Sequence, residues 1–294
     1  MTHTLTYAAI TPARDEAANL PSLAGALAAQ GTRPTVWIVV ENGSTDGTTA
    51  VVQELVAEHE WVRGVEAPVD DAPLVRGGTV TRAFHLGLEA LRDSVDVVVK
   101  LDADVTFEPS YFDRLLGAFE LDPALGIASG TCLELERGVW VPRYGTGDSV
   151  WGAARAYRRE CLSVVLPLED RMGWDGIDQL KANMNGWHTR TLADLTFRHH
   201  RVEGERDGSR GRAWEAQGRA SWYMGYRSWY LVARALHHAR REPSALAMVG
   251  GYVRAAARRE EQVGDVALRR YLRSQQRFRS LPGLMREAAG RGTR

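Results

Sequence analysis

The chain has 294 residues, 44% hydrophobic and 25% charged, a composition that excludes a disordered or low-complexity protein. Formal charge sums to zero, yet residues 1–200 carry 17 Lys and Arg against 28 Asp and Glu, a balance of −11, while residues 201–294 carry 20 against 9, a balance of +11. Cys132 and Cys161 have no Cys or His at metal-ligand spacing, which argues against a disulfide framework or zinc site and fits a reducing, cytoplasmic setting. No stretch approaches the ~18 uninterrupted apolar residues of a spanning helix, and no secretory leader pattern is visible.

The first ~125 residues alternate between strand and helix patterns. "LTYAAITP" predicts a buried strand, and "EAANLPSLAGALAAQG" a helix that stops at Gly31. "TVWIVV" is a second strand, followed by the turn "ENGSTDG" and the helix "TTAVVQELVAEH". "VRGVEAPV" is a third strand, "GTVTRAFHLGLEALRD" a helix, "VDVVVKL" a fourth strand and "PSYFDRLLGAFELDP" a helix. Repeated β-α units predict an α/β fold with a mostly parallel sheet flanked by helices. From ~125 to 200 the pattern is mixed, with strands around 126–135 and 191–198 and a helix over "DGIDQLKANMNG". Beyond 200 the chain reads as helical, and the glycine-rich segment 204–212 is the expected junction.

Ligands of open α/β sheets bind outside the carboxyl ends of the strands. Three polar clusters follow strands here: "ARDE" the first, "ENGSTDG" the second and "DADV" the fourth. The last raises a question of charge. Alternation puts Asp102 and Asp104 on one side of an extended backbone, where two carboxylates repel each other. A divalent metal, an arginine cluster or a shared proton has to offset them.

Four segments in order resemble family 2 glycosyltransferases of the GT-A fold, enzymes that move a sugar from a nucleotide-sugar donor. "PARDE" (Pro12 to Glu16) echoes the family's opening motif with Asp15 where Asn is usual, "ENGSTDGT" echoes its nucleoside loop, "RGGTVTRAFHLG" its pyrophosphate segment, and "DAD" its metal motif. The resemblance covers roughly residues 5–200 and implies inversion at the transferred sugar. It places Pro12, Ala13, Arg14, Glu16, Glu41, Asn42, Ser44, Arg76, Gly77, Arg82, Asp102 and Ala103 around the donor. It gives Mg²⁺ or Mn²⁺ to Asp104, with Asp102 contributing through ribose or water, and adds a histidine, His199 or His200; strand alternation puts His199 in phase with Leu195 and Phe197. Hard oxygen ligands with open positions suit those ions.

In the same family an acidic residue eleven before a glycine supplies the catalytic base. Asp175 stands eleven before Gly186, with Asp178 as the alternative; N-capping is the competing role for Asp175. Trp174 replaces the usual Glu before that Asp. Trp174, Trp151 and Tyr157 are aromatic enough to stack on acceptor sugars, with core packing as the other option for Trp151 and Tyr157.

The resulting expectation is a GT-A domain over 1–203 (nucleotide-binding part about 1–108, acceptor-side part about 109–203) followed by an Arg-rich helical extension over 204–294. The acceptor is expected to be a sugar or lipid-linked molecule in envelope, exopolysaccharide or glycolipid synthesis. The +11 extension suits an anionic inner-membrane surface, a phosphate-bearing acceptor, the acidic body or plain solvent, and its aromatics suit a homodimer contact; no nucleic-acid motif accompanies the charge. Three alternatives stand beside this. "DADVT" also fits a haloacid-dehalogenase-type phosphatase, with Asp102 as nucleophile and Asp104 as acid, although three strands precede it and "ENGSTDGT" is then left without a task. A nucleotidyltransferase also uses metal-binding carboxylates, and a non-catalytic sugar-binding protein needs neither base nor metal.

Overall fold

The computed structural model describes residues 4–68, 77–136, 138–143, 150–201, 210–240 and 242–277. Its centre is one mixed sheet in the order β3-β2-β1-β4-β8-β6-β9-β5, with β7 added beside β6. Strands β1 (Tyr7–Ala13), β2 (Val36–Glu41), β3 (Val62–Glu66) and β4 (Val97–Leu101) are mutually parallel, as expected from their β-α connections. Helices α1 (Leu20–Ala28), α2 (Thr48–Glu58) and α3 (Gly78–Ala90) cross between them.

The strand sequences explain why both faces are covered. Tyr7, Ala9, Trp37, Val39, Val97 and Val99 point into one core with α1, α2 and α4 (Tyr111–Leu121). Ala8, Ile10, Ile38, Val40 and Val98 point into another with Phe84 of α3. Successive side chains alternate between faces, so a strand apolar at every position needs two apolar partners.

The second half departs from the parallel expectation. β8 (Ala154–Arg158) runs antiparallel to β4 and to β6 (Leu125–Glu136), and β5 (Val105–Phe107) runs antiparallel to β9 (His188–His199). β9 is parallel to β6, and β7 (Val139–Pro142) forms a hairpin with β6. Three strands, β5, β7 and β8, and helix α5 (Arg159–Val165) were not expected from pattern. β5 and β7 are too short to show a period, and β8 hides a fully buried Arg155 in a run of small residues.

Beyond β9 come α7 (Arg210–Met224), α8 (Ser228–Ala239), a 3₁₀ turn (Pro243–Leu246), α9 (Ala247–Ala257) and α10 (Val266–Gln275). The expected junction 204–212 lies outside the described residues as far as 209, and Arg210 to Arg212 already belong to α7. α7 and α9 cross at glycine contacts: a Cβ at Gly218 strikes the Met248 carbonyl, and one at Gly251 strikes that of Glu215. Met224, Val263, Leu268 and Leu272 then pack on Ile177 of α6 (Trp174–Met184), so the C-terminal helices buttress that helix. Among the described residues no helix is long and apolar enough to cross a membrane.

Candidate active site

The carboxyl ends of β1, β2 and β4 share one edge because the three strands are parallel, and the loops after β1 and β2 are laced together there. Asp15, at φ +54, accepts from the Thr45 amide at 2.7 Å, while its own amide donates to Ser44 Oγ at 3.1 Å. The Glu16 amide donates to Thr48 Oγ1 at 2.8 Å. Inside the second loop the Glu41 carboxylate accepts from the amides of Gly43 and Ser44, at 3.3 and 2.6 Å. Asp15 and Glu41 therefore brace backbone, and strand register together with the Asn42 amide's bond to the Ala13 carbonyl joins the segments that carry Pro12, Ala13, Arg14, Glu16, Glu41, Asn42 and Ser44.

Gly77 caps α3 at φ +87, and a Cβ there would lie 2.8 Å from the Arg171 backbone, so the approach of the start of α3 to the 169–173 segment requires glycine. Arg82 pairs with Asp170 at 3.2 Å on that contact. Arg76 lies outside the described residues.

The acidic doublet sits beyond β4, with Ala103 buried between its members. Its charge is offset by the chain's own cations. Lys100 Nζ bonds Asp102, and Asp104 lies 3.2 Å from His199 Nε2 and 3.6 Å from Arg201 Nε. Arg201 also reaches Glu16 with two bonds, at 3.0 and 2.9 Å, joining the end of β9 to the end of β1. Burial disfavours ionised Asp104, but the His199 and Arg201 partners outweigh it and hold the carboxyl below its ordinary value. Burial likewise opposes the His199 cation, yet Asp104, Cys132 and Glu134 together push that ring up to about 12. Of the two expected histidines, His199 joins the doublet; His200 is exposed, bonded to Thr106 at 2.8 Å and edge-on to Trp140.

One ligand atom each from Asp102, Asp104 and His199 lies within 4.8 Å of the other two, and Cys132, Glu134 and His199 form a second such group. The first is a hard oxygen and imidazole set on one side, which fits a six-coordinate Mg²⁺ or Mn²⁺ with positions left for water or substrate.

The acceptor-side expectations divide. Asp175 stands in the first turn of α6, partly exposed, and the N-cap position is held by Gly173 instead. Asp178 is corrected as the alternative base: it is 1% exposed, holds Arg155 at 2.6 and 2.9 Å and accepts from the Tyr157 hydroxyl. Burial pushes its carboxyl up to about 6 against the pull of Arg155. Tyr157 is fully buried in that network and cannot stack on a sugar. Trp174, 8% exposed, is also corrected, because its ring packs near Lys100 and Arg155, at 5.6 and 5.8 Å. Trp151 alone of the three remains partly open, with Arg143 5.9 Å from its ring.

Residues 8–144 match the family model "Glycosyl transferase family 2". That match spans just under half of the chain. The fold agrees. A mannosyltransferase from Pyrobaculum calidifontis, in complex with GDP-Man and Mn²⁺, matches with TM-score 0.58 at 16% identity, over 98% of this chain and 85% of that one. S. aureus TarS 1-349 in complex with UDP matches with TM-score 0.54 at 14% identity, over 85% and 71%. Glucosyl-3-phosphoglycerate synthase from Mycobacterium tuberculosis, in complex with Mn²⁺, UDP and glucosyl-3-phosphoglycerate, matches with TM-score 0.50 at 18% identity, over 73% and 78%. No curated protein matches the chain by sequence. The curled mixed sheet flanked by helices is thus the GT-A glycosyltransferase fold.

Lys100, Arg155, Glu134 and Arg201 were missed as site components from sequence. Lys100 and Arg201 each adjoin a motif, and a charge beside a carboxylate or histidine motif is the signal that finds them. Arg155 carries a weaker sign, a lone cation in a run otherwise fit for a buried strand.

Proposed function

We propose that the enzyme transfers a sugar, with inversion, from a nucleoside-diphosphate donor to an acceptor hydroxyl, assisted by Mg²⁺ or Mn²⁺. The observation that carries this is the convergence of Asp102, Asp104 and His199 at the strand edge where the loops after β1 and β2 also meet. Asp104 and His199 would hold the ion, and Asp102 would serve the donor. A bound divalent cation supplies charge to offset the negative charge that develops on the leaving diphosphate.

The chain's own groups do the rest. Residues Pro12 to Glu16 and Glu41 to Ser44 would seat the nucleoside, and Arg76, Gly77 and Arg82 would serve the diphosphate. The Asp175 carboxylate takes the proton of the acceptor hydroxyl as that oxygen attacks the anomeric carbon opposite the departing nucleoside diphosphate. Trp151 offers the acceptor a partly open ring. Residues 1–203 form the transferase unit and 204–294 an extension.

The acceptor is a sugar or lipid-linked molecule of envelope, exopolysaccharide or glycolipid synthesis, met at an anionic inner-membrane face by the basic extension. Co-sedimentation with anionic liposomes at low and high salt tests that part, and absence of binding at both ends it. The activity itself is tested by measuring nucleoside diphosphate release from uridine, guanosine and thymidine diphosphate sugars with and without Mn²⁺. Release that ignores metal, or phosphate release from phosphosugars, overturns the assignment.

A further inference from the structure

Only Lys100 and Lys181 are lysine among the chain's 37 Lys and Arg residues. Lys100 occupies the least expected of places, the penultimate position of a fully buried central strand, with its side chain 4% exposed. Burying an ammonium is costly unless it is paired and hydrogen-bonded. Lys100 meets both conditions: Nζ bonds one oxygen of Asp102, Oδ1, and donates to the Gly152 carbonyl at 3.0 Å. Its cross-strand partner in the β4–β8 register is Arg155, a second buried cation paired to a second carboxylate, Asp178. Both cations flank the Trp174 ring, which lies next to Asp175 in sequence. Like charges directly opposite on a sheet destabilise it, so each needs its own carboxylate. A compact ammonium fits beside Asp102, whereas the wider guanidinium fork of Arg155 is received by two carboxylate oxygens and two carbonyls.

We propose that Lys100 is a positioning residue that neutralises Asp102 and turns it away from the ion, leaving Asp104 and His199 as the direct ligands and Asp102 for the donor. The inference rests on the metal and donor site proposed above. Lys100 occupies Oδ1, so Asp102 has one carboxylate oxygen left, and the residue as a whole is about one-third exposed on its side chain, at 32%. Asp104, by contrast, is bonded by groups on β9 and beyond it, His199 and Arg201, which a bound ion can replace without opening a strand.

The experiment is Mn²⁺ titration of the full chain by calorimetry without nucleotide, together with kcat and KM for whichever donor sugar the panel identifies. Lys100→Met and Lys100→Gln remove a positive charge and free Asp102 to join the ion, so both bind Mn²⁺ about five- to tenfold more tightly. Donor KM rises about tenfold in both. The double variant Lys100→Met/Asp102→Asn removes both charges, leaves neither buried alone, and binds Mn²⁺ as the parent does. Neutral single variants with Mn²⁺ affinity at or below the parent's overturn the proposal. So does a double variant that binds tenfold more weakly, because Asp102 is then a direct ligand. A parent chain that binds no Mn²⁺ overturns the site itself instead, so the two failures are distinguishable.

Discussion

Asp104, just beyond β4, and Asp178, on α6, are the same residue type, both buried, and they differ in what surrounds them. Asp178 is closed: the Arg155 fork takes both its oxygens and the Tyr157 hydroxyl adds a third bond. Asp104 is held by His199 and Arg201 at 3.2 and 3.6 Å, contacts long enough to be exchanged. A carboxylate whose lone pairs are all committed inside the protein can support a site but cannot serve it. One whose partners sit on the rim can trade them for a ligand.

The sharpest test of that contrast is Asp104→Ala. It is expected to lower kcat for nucleoside diphosphate release by about 10²–10³-fold or more, as loss of a charge-stabilising group does, with thermal stability near the parent's. An active Asp104→Ala would break the comparison. Asp175→Asn follows, with kcat lower by about 10²–10⁴-fold while calorimetry still shows donor and Mn²⁺ binding; loss of binding instead would move Asp175 from chemistry to architecture. Asp178→Ala is expected to act the other way round. It leaves Arg155 as an uncompensated buried cation and costs about 3–5 kcal/mol of stability, read by denaturant midpoint. A folded Asp178→Ala protein of parental stability that lacks activity would return Asp178 to the reaction.

The smallest effect concerns His85, whose Nε2 accepts from the Leu168 amide at 3.1 Å on the contact between α3 and the segment leading to α6. Burial lowers its pKa against the pull of Asp170 and Glu89. The folded value lies below the ordinary one, so the contribution is intact above the ordinary histidine pKa and is lost as pH falls through the folded pKa. The ring is only half-buried, so solvent screening keeps the loss under about 1 kcal/mol. Denaturant midpoints at pH 7.5 and 5.5 should show a drop in the parent that His85→Gln reduces; equal drops exclude His85 as the cause.

The parallel half of the fold was legible because β1, β2 and β4 are buried along almost their whole length, are apolar but for Thr11, Glu41 and Lys100, and are separated by helix patterns. The antiparallel half was not. β5 and β7 have three and four residues, too few to carry a period, and β8 places an arginine where the pattern asks for an apolar side chain. The site divides in the same way. "DAD", "ENGSTDGT" and "PARDE" stood out because polar clusters after buried strands have few structural uses. Tyr157, Trp174 and Asp178 were misjudged because an aromatic or a carboxylate in a polar segment has the same local sequence whether it faces solvent or a buried cation.

The amino-acid sequence by itself determined the β-α repeat and the strand ends at which polar groups gather, because period and turn chemistry are local properties. Which histidine meets Asp104, which carboxylate Arg155 consumes and which helix the C-terminal segment supports were decided only by tertiary structure. Those pairings join residues from 23 to 95 positions apart, as in Arg155 with Asp178 and His199 with Asp104, and depend on burial, which no local pattern encodes.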